Sequence, residues 1–258
     1  MIALLFFIIG ACLGSFANVC IYRMPRSKSI VAPSSFCPKC RNSIAFFDNI
    51  PVLSWIFLLG KCRKCHSTIS IQYPVVEMLM ALFSLLLYLK FGISFATLAY
   101  GLFLLALLII SFIDLETFLI PDSIVLPGIV VGMLCAALIP NFFFTYDSTS
   151  LLYSVAGAFL GALLVGILAV VGKLVWKKDA MGGGDLKLLA MIGAFLGWKS
   201  VFITMFFASV FGTFISVILI LLKKKTMDDY IPFGPYLSLG ALLALFYKGY
   251  TFLGFFVP

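Results

Sequence analysis

Apolar residues run along this chain in long unbroken stretches, each closed by a short cluster of charged residues, Gly or Pro. None alternates apolar with polar positions as a barrel strand does, so the pattern predicts helices of about bilayer length. In order, the predicted spans are Ile2–Tyr22, Pro74–Leu89, Ile93–Ile113, Ser123–Leu138, Leu151–Val175, Leu186–Gly197, Val201–Leu222 and a last one ending near Tyr247. The expected fold class is an all-α polytopic membrane protein with eight transmembrane helices. One long polar excursion interrupts the series. It divides the chain into a first transmembrane helix (1–22), a cytoplasmic four-cysteine domain (23–72) and a seven-helix transmembrane domain (73–258).

Composition supports the pattern. The 258 residues are 63% hydrophobic and 11% charged, more apolar surface than a soluble domain of this length can hide. The net charge of +8 is explained by basic loops on one side of a membrane, and the short loops that carry it argue against nucleic acid as a partner. One side holds Arg23, Arg26, Lys28, Lys39, Arg41, Lys61, Arg63 and Lys64, with Lys173, Lys177, Lys178, Lys187 and Lys223 to Lys225. The other holds only Lys90, Lys199 and Lys248. The first side is therefore expected to be cytoplasmic, with both termini outside. Ile9-Gly10-Ala11-Cys12 looks like a lipoprotein cleavage box, but no basic residue precedes it and the apolar run continues, so a retained first span is expected.

Four of the seven cysteines form two C-x-x-C pairs, Cys37-Pro38-Lys39-Cys40 and Cys62-Arg63-Lys64-Cys65. Two such turns can each present two thiolates to one tetrahedral ion, as in zinc ribbons. Redox dithiols or disulfides are the alternative, and a cytoplasmic location disfavours stable disulfides. Four thiolates leave no open position, so the zinc is expected to be structural and the neighbouring His66 a surface residue. Cys12, Cys20 and Cys135 are expected to be packing residues. Between the pairs, Asn49 to Gly60 is apolar and either packs on the membrane surface or forms the core of a small domain.

Asp114, Asp122 and Asp185 all fall at the cytoplasmic ends of predicted spans. Asp185 follows Gly182-Gly183-Gly184 in the stretch Met181–Lys187. A carboxylate at the mouth of a membrane helix is costly to keep there. Asp185 and Asp122 also suit helix starts as caps, whereas Asp114 closes a span, where its charge opposes the helix dipole. Asp114 and Asp185 are the candidate catalytic pair. Two neighbouring carboxylates share a proton, so one activates a water while the other hydrogen-bonds a scissile carbonyl. The three glycines leave room for an extended peptide, and the small residues of the fifth span (Gly157, Ala158, Gly161, Ala162, Gly166) permit close approach of another helix. Ser15 and Asn18 share a face of the first span, as helix–helix hydrogen bonders or as a wall of the site. Glu77 either suits the first turn of the second span or belongs to that site. A proton-coupled transporter and a non-enzymatic assembly factor are the rival classes.

The chain resembles the type IV prepilin peptidases, also called leader peptidase/N-methyltransferases, among the GxGD membrane aspartyl proteases. The likeness rests on Gly14-Ser15-Phe16 with Asn18-Val19, Arg23-Met24-Pro25, both C-x-x-C pairs, Tyr73-Pro74-Val75-Val76-Glu77 and Asp114. It continues in Ile120-Pro121-Asp122, Gly182-Gly183-Gly184-Asp185-Leu186-Lys187 and Ile231-Pro232-Phe233-Gly234-Pro235. The resemblance implies an aspartyl protease site at the cytoplasmic face of the bacterial inner membrane, with Asp114 and Asp185 as the pair. It implies prepilin and pseudopilin substrates, for which Gly182, Gly183, Gly184 and Asp122 are the candidate contacts. It also implies N-methylation of the product with S-adenosylmethionine. Gly14, Asn18, Arg23, Pro25 and Glu77 are candidates for the methyl-donor site.

Overall fold

The computed structural model describes residues 1–32, 34–139, 142, 150–176, 182–226 and 230–247. Lys177, Lys178, Met181 and Lys248 lie outside the described residues. Every predicted apolar segment is helical: α1 (Ile2–Arg23), α3 (Gln72–Phe91), α4 (Phe95–Thr117), α5 (Asp122–Leu138), α6 (Ser150–Trp176), α7 (Gly183–Leu196), α8 (Trp198–Leu221) and α9 (Gly234–Phe246). A short α2 (Leu53–Phe57) stands in the polar excursion. Among the described residues there is no strand, only the isolated bridges Phe36–Ser43 and Lys61–Thr68. Five helices, α1, α3, α4, α6 and α8, are long and apolar enough to cross a membrane. At 17, 14 and 13 residues, α5, α7 and α9 are shorter than the ~20 a full crossing takes.

The chain divides into two compact units, Met1–Ile124 and Val125–Pro258. In the first, α1 lies along α3 through Gly10 and Gly14. A Cβ on Gly14 would stand 2.6 Å from the Glu77 Cα, and one on Gly10 2.6 Å from the Met80 carbonyl oxygen. This is the small-xxx-small crossing that brings membrane helices into backbone contact. Ala17, Cys20 and Ile21 of α1, Val76 and Met80 of α3, and Leu105, Leu108, Ile109 and Ile113 of α4 form the core around it. Cys20 packs there as expected and Cys135 is half-buried, but Cys12 lies exposed on the outer face of α1. α4 opens on Ser94, whose hydroxyl caps the Thr97 N–H at 3.2 Å.

In the second unit α6 and α7 cross in the same way. The Gly157 and Gly193 backbones touch, and a Cβ on Gly161 would stand 2.5 Å from the Leu189 carbonyl oxygen. The buried Ser154 hydroxyl donates to the Ala194 carbonyl at 2.7 Å. These glycines are therefore taken up by α7. Ala162 and Gly166 border an open apolar groove of about 570 Å³ on the outer side of α6.

Candidate functional site

Asp114 stands inside α4, not after it. The helix runs on through Leu115, Glu116 and Thr117 and ends where Phe118 turns left-handed (φ 56°, ψ 28°), its N–H donating to the Asp114 carbonyl at 2.9 Å. The span boundary expected at Ile113 is thus too early, by about one helical turn. The side chain is 4% exposed, on a helix whose neighbouring residues Ile109, Ile110 and Ile113 are buried. A carboxylate there faces both the apolar core and the negative end of its own helix dipole.

Asp185 is the third residue of α7 and 9% exposed. Its Oδ2 accepts the Gly182 N–H at 3.3 Å, the carboxylate half of a capping box. Here the negative charge suits the helix dipole, the reverse of Asp114. Gly182 and Gly183 are exposed, and a Cβ on Gly183 would meet nothing within 4 Å. Neither packing nor a positive φ demands glycine at 183. Asp122 is exposed in the first turn of α5.

Cys37, Cys40, Cys62 and Cys65 come together with all four sulfurs within 4.8 Å of one another. The Cys37–Cys65 separation is 3.8 Å, which equals the edge of a tetrahedron with Zn–S bonds of about 2.3 Å. All four are free thiols, and the cluster is compatible with a tetrahedral metal ion. The two halves are one turn used twice. Cys37 N–H donates to Asn42 O and Arg41 N–H to Cys37 O at 2.9 and 2.8 Å, and Cys62 N–H donates to Ser67 O and His66 N–H to Cys62 O at 2.9 and 2.9 Å. Arg41 and His66 occupy the same left-handed place in each (φ 57° and 54°), so His66 is an exposed turn residue. The Cys40 backbone N–H above all pulls the Cys37 thiol down to about 6, and the Ser67 hydroxyl, 3.1 Å away, lowers that of Cys65. Both shifts favour the thiolate that binds metal.

The candidates on α1 and α3 hold this loop to the helices. Asn18 Nδ2 donates to Tyr73 O at 3.0 Å, the helix–helix hydrogen bond that is one of its two expected roles. The buried Arg23 guanidinium donates to Ser29 O and Ser34 O at 3.0 and 3.4 Å, and Pro25 follows it in a short 3-10 turn. Glu77 is the sixth residue of α3, past the first turn where the helix dipole would explain it. It is buried, and its Oε2 accepts the Val52 N–H at 2.7 Å. Val52 has φ 60° and ψ −51°, and Leu53 N–H donates across it to Pro51 O at 2.6 Å, a strained γ-turn at a β-branched residue. Neither this turn nor its contact with Glu77 is foreseen from the sequence, where valine carries no turn signal. Beyond it, Trp55 stacks on Gly60 (φ 67°) and donates to Ile69 O at 3.2 Å, and Arg63 grips Asp48 with both nitrogens at 2.6–3.1 Å.

An apolar, all-helical chain with buried acids on α3, α4 and α7 and a four-thiol loop is consistent with a polytopic membrane protein. Comparison with known proteins makes the class specific. The model for the Bacterial Peptidase A24 N-terminal domain matches residues 8–91, and that for the Type IV leader peptidase family matches residues 101–217. A prepilin leader peptidase/N-methyltransferase of Aeromonas hydrophila is 37% identical over 265 residues, covering 93% of this chain and 89% of the relative. Those of Pseudomonas aeruginosa and Pectobacterium carotovorum are 34% and 33% identical, covering 92% and 95% of this chain and 88% and 92% of the relatives. The chain belongs to the type IV leader peptidase family. No solved structure matches it.

Proposed function

We propose that this chain is a membrane-embedded aspartyl endopeptidase that removes the leader of type IV prepilins and pseudopilins and then N-methylates the new amino terminus. What carries this conclusion is a pair of acids, Asp114 and Asp185, held out of water at helix ends in a chain of this family. Asp114 and Asp185 are the catalytic pair. An aspartyl peptidase works through two carboxylates that share one proton in surroundings of low dielectric. The ionised one takes a proton from a water whose oxygen bonds to the scissile carbon, and the protonated one donates a hydrogen bond to the carbonyl oxygen. Gly182, Gly183 and Gly184 let the leader backbone lie against the start of α7, and the open space around Gly183 supports that. Asp122 supplies a further polar contact.

All eight apolar helices cross the bacterial inner membrane on this reading, with both termini outside and the catalytic and cysteine sites in the cytoplasm. Support comes from the excess of Lys and Arg on the loops of one side. Residues 1–22 form the first span, 23–72 a cytoplasmic zinc-ribbon-like domain and 73–258 the peptidase domain. Cys37, Cys40, Cys62 and Cys65 hold a structural zinc, for which their mutual distances fit.

S-adenosylmethionine supplies the methyl group when bound. Gly14, Asn18, Arg23, Pro25 and Glu77, around the α1–α3 crossing, are the candidates to hold it. Glu77 fits best, because it brings a buried carboxyl group there to face a sulfonium cation. Incubating the purified protein with a prepilin, with and without S-adenosylmethionine, tests both activities by mass. The expected products are a shortened pilin and then a gain of one methyl group. An uncut prepilin refutes the peptidase, and a cut but unmethylated product refutes the methyl transfer.

A further inference from the structure

The segment from Phe46 to Leu59 turns its apolar side outward. On α2, Leu53, Ile56 and Phe57 are exposed at i, i+3 and i+4, the spacing of a single helical face. Phe46 is 92% exposed, and Phe57 and Leu59 are each 82% exposed. The polar residues point the other way. The buried Ser54 hydroxyl donates to Phe47 O at 3.0 Å and accepts the Ile50 N–H at 3.1 Å, while the Trp55 indole donates to Ile69 O. A loop built for water would reverse this arrangement, since a contiguous apolar patch of this kind marks an interaction surface. The outward face also answers the question left by the sequence, because Asn49 to Gly60 is not the core of a small domain.

Two further observations say what covers it. The Val52 N–H is bonded to Glu77, so α2 begins beside the sixth residue of a membrane-length helix, about 7–8 Å from that helix's first residue. This is the depth at which amphipathic helices lie between headgroups and acyl chains. The charge is complementary as well. Lys61, Arg63 and Lys64 follow directly and are exposed, whereas Asp48 is the only acid between Phe46 and Lys64 and is bound to Arg63.

We propose that α2, with Phe46, Phe57 and Leu59, is an interfacial membrane anchor that lies in an anionic leaflet and holds the four-cysteine loop against the lipid surface. The apolar side chains enter the acyl boundary, and Lys61 and Lys64 meet lipid phosphates. The anchor is a property of the loop and does not depend on whether the chain cuts prepilins.

The test uses the full-length protein with p-benzoylphenylalanine in place of Phe57, whose 82% exposure leaves room for the added benzoyl group. It is reconstituted into vesicles of phosphatidylethanolamine and phosphatidylglycerol, irradiated, digested and weighed. The expected adducts are phospholipids, with phosphatidylglycerol above its share of the vesicle. Adducts to other helices of the same chain, or recovery of the unreacted side chain, overturn the proposal. So does a lipid adduct that is replaced by adducts to prepilin when prepilin is added, because α2 would then be a substrate dock. A measurement without any variant runs in parallel. A diazirine-bearing phospholipid should label the Phe46–Leu59 peptide of the wild-type chain, and an unlabelled peptide overturns the anchor.

Discussion

The Glu77 carboxylate accepts the Val52 backbone N–H at 2.7 Å and so joins a membrane-length helix to a strained turn of the cysteine loop. A valine at φ 60° costs ~1–3 kcal/mol and persists only where its surroundings impose it. The buried carboxylate is the group that imposes it, and Ser15 of α1 hydrogen-bonds the same carboxylate. Glu77→Ala should leave the Val52 N–H without its acceptor, at ~1–3 kcal/mol. The loop should then undock, which trypsin cleavage at Arg63 and Lys64 in vesicles would report as a faster nick. Glu77→Gln keeps an oxygen acceptor and should keep the loop protected, while losing the carboxyl group assigned to the methyl donor. Equal protection in all three proteins would remove Glu77 from loop docking.

The cysteine cluster makes a prediction about metal. Purified protein should carry one zinc per chain, and Ser at Cys37, Cys40, Cys62 or Cys65 should abolish it. The Cys37 thiol is pulled down to about 6, whereas that of Cys40 is held above its ordinary value. Because thiolates are the ligands, zinc affinity should fall as pH drops from the ordinary thiol range and steepen below about 6, where Cys37 also takes up a proton. Metal analysis across a pH series checks this, and a metal-free wild-type protein would reject the site.

Asp48 and Arg63 predict a second pH dependence, on the acid side. The Arg63 hydrogen bonds hold the Asp48 carboxyl below its ordinary value. A lowered acid contributes stability above its unfolded value, ~3.9, and loses it as pH falls through the folded one. The pair is partly exposed, so the effect should be small and should fade with salt. Asp48→Asn should flatten the acid limb of the loop's protease protection below about pH 4. An unchanged limb would mean that the bridge contributes nothing to holding Phe46–Asn49 on the second turn.

What could be read from the chain follows from where the signal lies. Helices are legible because lipid permits few alternatives to an apolar run. Their ends are less so. The charge at Asp114 marks where apolar sequence stops, but the backbone stays helical to Thr117. The four cysteines are legible because C-x-x-C spacing dictates a local turn. The Val52 turn is not, because its conformation is held by Glu77, 25 residues away, and the turn itself contains no Gly or Asn. Gly157 and Gly161 announce a close approach, but their spacing does not name the helix that approaches.

That approach supports a stability prediction. A side chain on Gly157 would run into the Gly193 backbone, which cannot swing aside as a long side chain would. Gly157→Leu should force α6 and α7 apart at ~1–3 kcal/mol or more. Because α7 carries Asp185 in its first turn, cleavage should fall along with thermal stability. Gly183→Ala, where a Cβ meets nothing within 4 Å, should leave stability unchanged. If it also lowers cleavage, the loss belongs to the substrate and not to the fold.

The acids themselves give the sharpest test. Asn keeps the shape of Asp and its hydrogen-bonding oxygen, so Asp114→Asn and Asp185→Asn should insert and fold as the parent does. Asp185→Asn can still accept the Gly182 N–H that starts α7. Neither variant can take a proton from water, and loss of acid–base chemistry at one carboxylate costs roughly 10²–10⁴-fold. Prepilin cleavage, followed by mass, should therefore fall that far in each variant. The double variant should be little worse than either single one, because groups that work as a unit are not additive. Methylation of a pilin supplied already cut should survive both changes, since its candidate residues lie on α1, the turn after it and α3. Full cleavage by either variant would dismiss the pair, and multiplicative losses would mean that the two acids act in separate steps.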